Sequence, residues 1–467
     1  MLFQSTNPST FRMRMKDMNN KKTQNAWAFY DWANSVYPLV ITTAIFPIFF
    51  NAVTTEKVNG VTVSDKVTWF GREFVNTEIY SYIIAASLIV VSILSPVLSG
   101  IADYSGKKKV FMKMFCYLGS ISCALLYFFN KEHLELSFMA LFFASIGYWN
   151  SIVFYNAFLP EVAKPEDQDK LSAKGYSLGY IGSVILLVLI LGIVMGISDS
   201  FTRYSFIIVG IWWLGFAQIT FRRLPENNNG RKSEGKLWKK GFQELKQVQK
   251  QVSGLKGLRR YLFAFFVFSM AVQTIMTMAQ FFGMKEVFSW SEASVGGMGM
   301  FPVLMVKETG LSTAQLIIAI ILVQLIAIPG AVVFSSGSKR FGNVTMLAIA
   351  LLSWIAVCIF AFAIVDTPLE FYIAAGWIGF MMGGTQSLSR STYSKMLPDT
   401  KDTASFFSYY DVLEKIGMVI GMLAFGYIEG VTGSMRNSVL SLIVFFALGL
   451  VLLLMVPRKG SIASQST

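Results

Sequence analysis

Histidine and cysteine are nearly missing from this 467-residue chain, which has one His and three Cys, and charged residues make up only 14%. The lone His133 cannot form a metal site by itself, since zinc sites draw on three or four protein ligands. Cys116, Cys123 and Cys358 all fall inside apolar stretches, which points to packing rather than to a disulfide framework or a redox pair. No glycine-rich phosphate loop ending in Lys-Ser or Lys-Thr occurs, and no Ser-His-Asp set has a plausible place within a bilayer. An ATP-driven pump and a hydrolase are therefore unsupported, no enzyme activity is expected, and no cofactor is called for.

What the chain does have is apolar surface. At 54% hydrophobic residues, with 41 Phe, it carries more than one water-soluble core could bury. An α-helix needs about 20 apolar residues to cross a hydrocarbon layer of about 30 Å. Charge-free intervals of that order run from Asp31 to Glu56, Glu78 to Asp103, Lys113 to Lys131, Glu135 to Glu161, Lys174 to Asp199 and Arg203 to Arg222. They resume from Arg260 to Lys285, Glu308 to Lys339, Arg340 to Asp366, Glu370 to Arg390 and Arg436 to Arg458. A twelfth stretch, Thr403 to Ile428, has the length of a span but holds Asp411, Glu414 and Lys415. The expected fold class is an all-α integral membrane protein with twelve transmembrane helices in two six-helix bundles, residues 1–221 and 259–467, joined by a cytoplasmic segment 222–258.

Orientation follows from the basic residues, which stay preferentially on the cytoplasmic side of a span. With both termini inside, 31 of the 40 Lys and Arg fall in cytoplasmic segments. The formal charge of +13 then reflects topology and anionic headgroups, and no nucleic-acid partner is implied. The basic N-terminal stretch precedes an apolar run too long for a signal peptide, so it is expected to be retained in a protein of the cell membrane. In the central segment, turn-prone "RRLPENNNGRKSEG" leads into Trp238, Phe242, Leu245, Val248, Val252 and Leu255 at spacings of three and four. That is an amphipathic helix, expected to lie on the cytoplasmic membrane face; a calmodulin-type partner is the other reading of the spacing. The outer loops 51–79 and 284–311 are long, and "VNGVTV" in the first suits a small hairpin.

Two local stretches narrow the reading. "SGIADYSGKKK", residues 99–109, resembles the signature of the major facilitator superfamily between its second and third helices, with Ser99 and Tyr104 standing where that pattern has Gly and Arg. The resemblance implies that Asp103 caps helix 11 and latches the two halves, that Gly106 makes the turn, and that Lys107 or Lys108 replaces the missing Arg. Arg390 joins this gating set. The corresponding loop "GSKRFG" has Lys339 where an Asp would sit, so a second acidic latch is not expected. "WAFYDWANSVYP", "FYNAFLPEVA", "GGTQSLSRSTYSKMLP" and "SFFSYYDVLEKIG" together resemble the vacuole-effluxer-like permeases of that superfamily, from about Trp27 to Pro457. This implies the facilitator fold and, by way of the fungal members, amino-acid efflux.

Polar residues inside the spans are the candidate site. A carboxylate in a membrane costs a few kcal/mol unless it meets a polar cavity or a partner, so Asp31 is a functional candidate. Tyr30, Asp31, Asn34 and Ser35 form a polar patch on the first helix; Asn150, Ser151, Tyr155 and Asn156 lie on the fourth; Gln273, Thr277 and Gln280 on the seventh; Thr385, Gln386 and Ser389 on the tenth. Such uncharged donors and acceptors suit a small polar or zwitterionic substrate, although each taken singly could merely join helix to helix. On the eleventh, Asp411 and Lys415 stand at i and i+4 with Glu414 adjacent. Asp31, Asp411 and Glu414 are expected to compete for Lys415, so that protonating one of them couples a proton gradient to the cycle. Paired glycines, among them Gly175/Gly179, Gly192/Gly196, Gly376/Gly379/Gly383 and Gly417/Gly421, allow close helix contacts. The expected function is a proton-coupled secondary transporter that works as a single chain; a channel, a lipid scramblase or a non-transporting sensor are the other classes the stripes permit.

Overall fold

A computed structural model describes residues 20–58, 61–64, 66–197, 199–226, 237–287 and 311–457. Most of the basic N-terminal stretch, most of the loop 284–311 and residues 227–236 of the central segment lie outside the described residues.

The chain opens with α1 (Lys21–Asn34), whose N-cap Asn20 accepts the Lys22 amide at 3.0 Å. A π-helical stretch, Tyr37–Ile45, follows and passes into α2 (Phe46–Thr54). Pro38 and Pro47 lack amide hydrogens, and the Thr42 and Thr43 hydroxyls both donate to the Pro38 carbonyl, at 2.7 and 2.8 Å, so the regular i to i−4 ladder is not kept. Two antiparallel hairpins come next: β1 (Glu56–Val58) with β2 (Val61–Ser64), the one expected, and β3 (Lys66–Trp69) with β4 (Arg72–Val75). The second turns at Phe70 and Gly71, both at positive φ, as a two-residue hairpin turn demands.

Long helices make up the rest. They are α3 (Asn76–Ser105), α4 (Lys108–Leu125), α5 (Leu134–Ala157), the short α6 (Leu159–Val162), α7 (Pro165–Ile197), α8 (Tyr204–Arg223) and α9 (Leu237–Gly254). Then come α10 (Lys256–Phe282), α11 (Leu311–Phe341), α12 (Asn343–Ala363), α13 (Pro368–Met396), α14 (Thr403–Thr432) and α15 (Met435–Leu454). Among the described residues, nine helices are long and apolar enough to cross a membrane. The other three expected spans fall on the α1–α2 run, α13 and α14, which carry Asp31, Arg390, and the Asp411, Glu414 and Lys415 group. Exposed apolar side chains such as Ile93, Ile211, Leu423 and Val444 cover the outer surface, where hydrocarbon would take the place of water.

Helix α1 packs on α7 and α8, α4 on α5 and α8, α11 on α13, and α10 on α14 and α15. Contacts between the first and second halves of the chain run through α7 with α11 and α13, and through α3 and α5 with α14. Small residues permit several of these approaches: Gly383 lies on the Ala327 backbone, and Gly421 on Met270 and Thr274. Gly192 and Gly376 meet nothing within 4 Å, so close packing does not explain them.

Helix α9 rests against the end of α3, where Gly241 meets Gly100, and Val248 and Glu244 are buried there. The Tyr409 hydroxyl on α14 donates to the Leu245 carbonyl at 3.3 Å. The apolar face of this amphipathic helix is thus partly taken up by protein. The end that bears α9 and the α3–α4 turn, read from the basic residues as cytoplasmic, is called the inner end below.

Candidate functional site

Asp31 and Arg390 are 359 residues apart in sequence and meet in the interior, each almost fully buried. Arg390 donates from Nη1 and Nη2 to Asp31 Oδ2, both at 3.2 Å, from Nε to Ser172 Oγ and from Nη2 to the Ser172 carbonyl, both at 2.9 Å, and from Nη1 to Asn156 Oδ1 at 3.3 Å. These five contacts match its five N–H donors. Its guanidinium also stacks on Tyr176, 4.1 Å from the ring centre, with Trp27 and Tyr155 at 4.9 and 5.4 Å. The Tyr155 hydroxyl donates to Asp31 Oδ2 at 2.8 Å. Gly175 makes the room, since a Cβ there would strike Asp31, Arg390 and Tyr155. The group joins α1, α5 and α7 to α13.

Half-buried polar side chains lie alongside. Gln386 accepts from the Tyr180 hydroxyl at 2.8 Å and reaches Met276 Sδ at 3.4 Å. Gln273, one turn before Met276 on α10, donates to Glu414 Oε1 at 2.8 Å. Lys415 pairs with Asp411, as the i, i+4 spacing suggested, and its ammonium sits 4.0 Å from the Trp149 ring on α5. Glu414 forms no ion pair within 4 Å among the described residues, whereas Asp31 and Asp411 each have a resident cation. Buried polar atoms here without a hydrogen-bond partner include Asn34 Nδ2, Asn150 Oδ1 and Asp411 Oδ2, groups that water or a bound solute normally satisfies.

At the inner end, Asp103 accepts the backbone amides of Ala404 and Ser405, at 3.2 and 2.7 Å, so the carboxylate caps the positive end of α14. Lys108 pairs with Glu161 and donates to Thr403 Oγ1 at 2.7 Å and the Lys401 carbonyl at 3.3 Å, with Asp103 at 3.8 Å. Gly106 makes the intervening turn at φ +67°. Of the two candidate lysines, Lys108 occupies the cluster and Lys107 is exposed. A second acidic junction is present after all. It uses Asp169 on α7, which pairs with Lys395 and accepts from Ser338 Oγ at 2.7 Å and Asn343 Nδ2 at 2.8 Å. Lys339 does not prevent it, because the carboxylate comes from the opposite half.

The structure therefore gathers Asp31, Asn156, Arg390, Gln386, Gln273, Glu414, Asp411 and Lys415 between the two halves. Competition of Asp31 for Lys415 is not what it displays: Asp31 faces Arg390. Tyr30 packs against Tyr155 with ring centres 5.0 Å apart, and Ser35 lies at 3.5 Å from Asn34 Oδ1 and against Gly179. Asn150 donates to the Ile146 carbonyl of its own helix, and Thr277 to that of Gln273. Gln280 is half-buried on α10. Thr385 faces away from Gln386 and accepts from Trp354 Nε1 at 3.0 Å within the second half. Sequence reasoning missed Ser172, Tyr176, Glu161, Asp169 and Lys395. Of these, Glu161 and Asp169 sit among ordinary-looking loop charges, and Ser172 and Tyr176 fall on the helix face that α13 covers.

A sequence profile of the family described as vacuole effluxer Atg22-like matches residues 19–466. An uncharacterized MFS-type transporter of Bacillus subtilis, YxiO, is 30% identical over 449 residues, covering 94% of this chain and 96% of that protein. Autophagy-related protein 22 of Yarrowia lipolytica is 27% identical over 313 residues, covering 62% of this chain and 50% of that protein. In three dimensions the chain is similar to the crystal structure of a major facilitator superfamily transporter, FucP, in the outward conformation, with a TM-score of 0.66 at 14% identity, covering 95% of this chain and 100% of that one.

Proposed function

We propose that this chain, which belongs to the vacuole effluxer Atg22-like family, exports a small zwitterionic solute of the amino-acid type across the cell membrane in exchange for protons. By fold it is a major facilitator transporter, a secondary carrier, and its relatives are transporters and not enzymes. The substrate, the proton and the direction are our reading. In it, residues 1–221 and 259–467 are two matched six-helix bundles with both termini in the cytoplasm, and the protein acts as a single chain.

One observation carries the reading. Among the described residues, Glu414 is a half-buried carboxylate that accepts from Gln273 and forms no ion pair within 4 Å, its neighbour Lys415 being paired with Asp411, and it lies near Tyr176, on which Arg390 stacks. An ionised carboxylate within a membrane is costly without a counter-charge of its own, and with Lys415 committed to Asp411 this one is suited to receive a cation from outside the protein. A substrate ammonium serves in one stage of the cycle and a proton in the other. Asp31 with Arg390, and Asp411 with Lys415, are the pairs whose breaking and reforming accompanies the switch between faces.

Proteoliposomes test this. Preloaded amino acid should drive saturable counterflow of labelled amino acid, which a channel or scramblase would not support. Glu414→Gln and Asp31→Asn should each abolish flux driven by a pH gradient. Undiminished flux in either variant removes that residue from the coupling.

A further inference from the structure

A shallow groove at the inner end, between the start of α10 and the end of α15, stands apart from everything above. It is lined by Arg259, Arg260, Phe263, Leu452 and Met455 and has about 270 Å³ of free space. Both arginines are exposed and neither makes an ion pair among the described residues. Each is steadied by one carbonyl at a helix end: Arg259 donates to Ser253 and Arg260 to Met455, both at 3.3 Å. The N-terminus of α10 adds its partial positive charge at the same spot.

The apolar part lies one turn further along the spans. Phe263 and Met455 are each 56% exposed, and Leu452 fills the floor between them. Two guanidinium groups at the rim of a span, followed by bare apolar surface toward its middle, match an amphiphile with an anionic head. A soluble anion would leave the apolar floor unused, and a zwitterionic lipid such as phosphatidylcholine would bring the cation of its headgroup up to the arginines along with its phosphate. We propose that this groove binds one anionic phospholipid, its phosphate on Arg259 and Arg260 and an acyl chain along Phe263, Leu452 and Met455.

The test is a titration of the purified full chain in detergent with phosphatidylglycerol, phosphatidylcholine or sn-glycerol 3-phosphate, with bound molecules counted by native mass spectrometry. Phosphatidylglycerol should bind in preference to both others. Arg259→Gln/Arg260→Gln should weaken it about twenty-five-fold, at about fivefold per interfacial guanidinium. Phe263→Ser should weaken it as well. The comparison variant is Arg222→Gln/Arg223→Gln, which removes an equally exposed pair from the inner end of α8 and should leave binding unchanged. Equal losses from the two arginine pairs would mean diffuse surface charge and would overturn the site. Binding of glycerol phosphate as tight as that of the lipid would overturn it too, in favour of a soluble phosphate site.

Discussion

Arg390 spends all five donors on Asp31, Ser172 and Asn156, which come from three helices of the other half of the chain. Removing one member of such a buried pair strands the other, a loss of about 3 to 5 kcal/mol, while neutralising both costs far less. Arg390→Gln should therefore lower the melting temperature in detergent markedly, and Asp31→Asn/Arg390→Gln should recover most of the loss. A single variant that melts with the wild type would deny the pair its structural weight. Tyr155→Phe removes one charge-assisted donor and should cost on the order of 2 kcal/mol. Asp31 stood out in the sequence because charge is absent from the 24 residues after it. Arg390 was singled out as a gating residue but not as the partner of Asp31, since nothing local links positions 31 and 390. The Asp411–Lys415 pair was legible because helical spacing alone brings those residues together. Asp169 was hidden among Glu166, Asp167 and Lys170, a run that reads as a solvated loop.

At the scale of elements, helix positions followed from the spacing of charges, whereas the way helices meet did not. The first expected span is interrupted by the π-helical stretch around Pro38, and only the two prolines hinted at it. The apolar positions of α9 were apparent from their period, five of the six lying within the helix and Leu255 just past its end, but its docking on α3 depends on Gly100 and Gly241 facing each other. A Cβ at Gly241 would come within 2.6 Å of Ile101 and 3.1 Å of the Val97 carbonyl. Gly241→Val should thus lift α9 from α3, at a cost of about 1 to 3 kcal/mol for overpacking. Limited trypsinolysis reads the outcome: cleavage at Lys239, Lys246 and Lys250 should accelerate in the variant, and an unchanged rate would show that α9 is not anchored by this contact.

For the whole molecule, the carboxylate junctions that tie the halves of the chain include, among the described residues, Asp31 with Arg390 in the interior, and Asp103 with the start of α14 and Asp169 with Lys395 at the inner end. We propose that together they hold the inner end shut. A carrier that alternates its access must release them in the same stroke, so weakening them should populate the inward-open form. The direct measurement is the distance between spin labels at positions 107 and 401, both exposed at the inner end, by double electron–electron resonance. In the otherwise unaltered protein the distribution should be dominated by one short distance. In Asp31→Asn/Arg390→Gln carrying Asp103→Asn, a second and longer distance should grow at its expense. Identical distributions in the two proteins would contradict the account, because the halves would then be joined by something other than these charges.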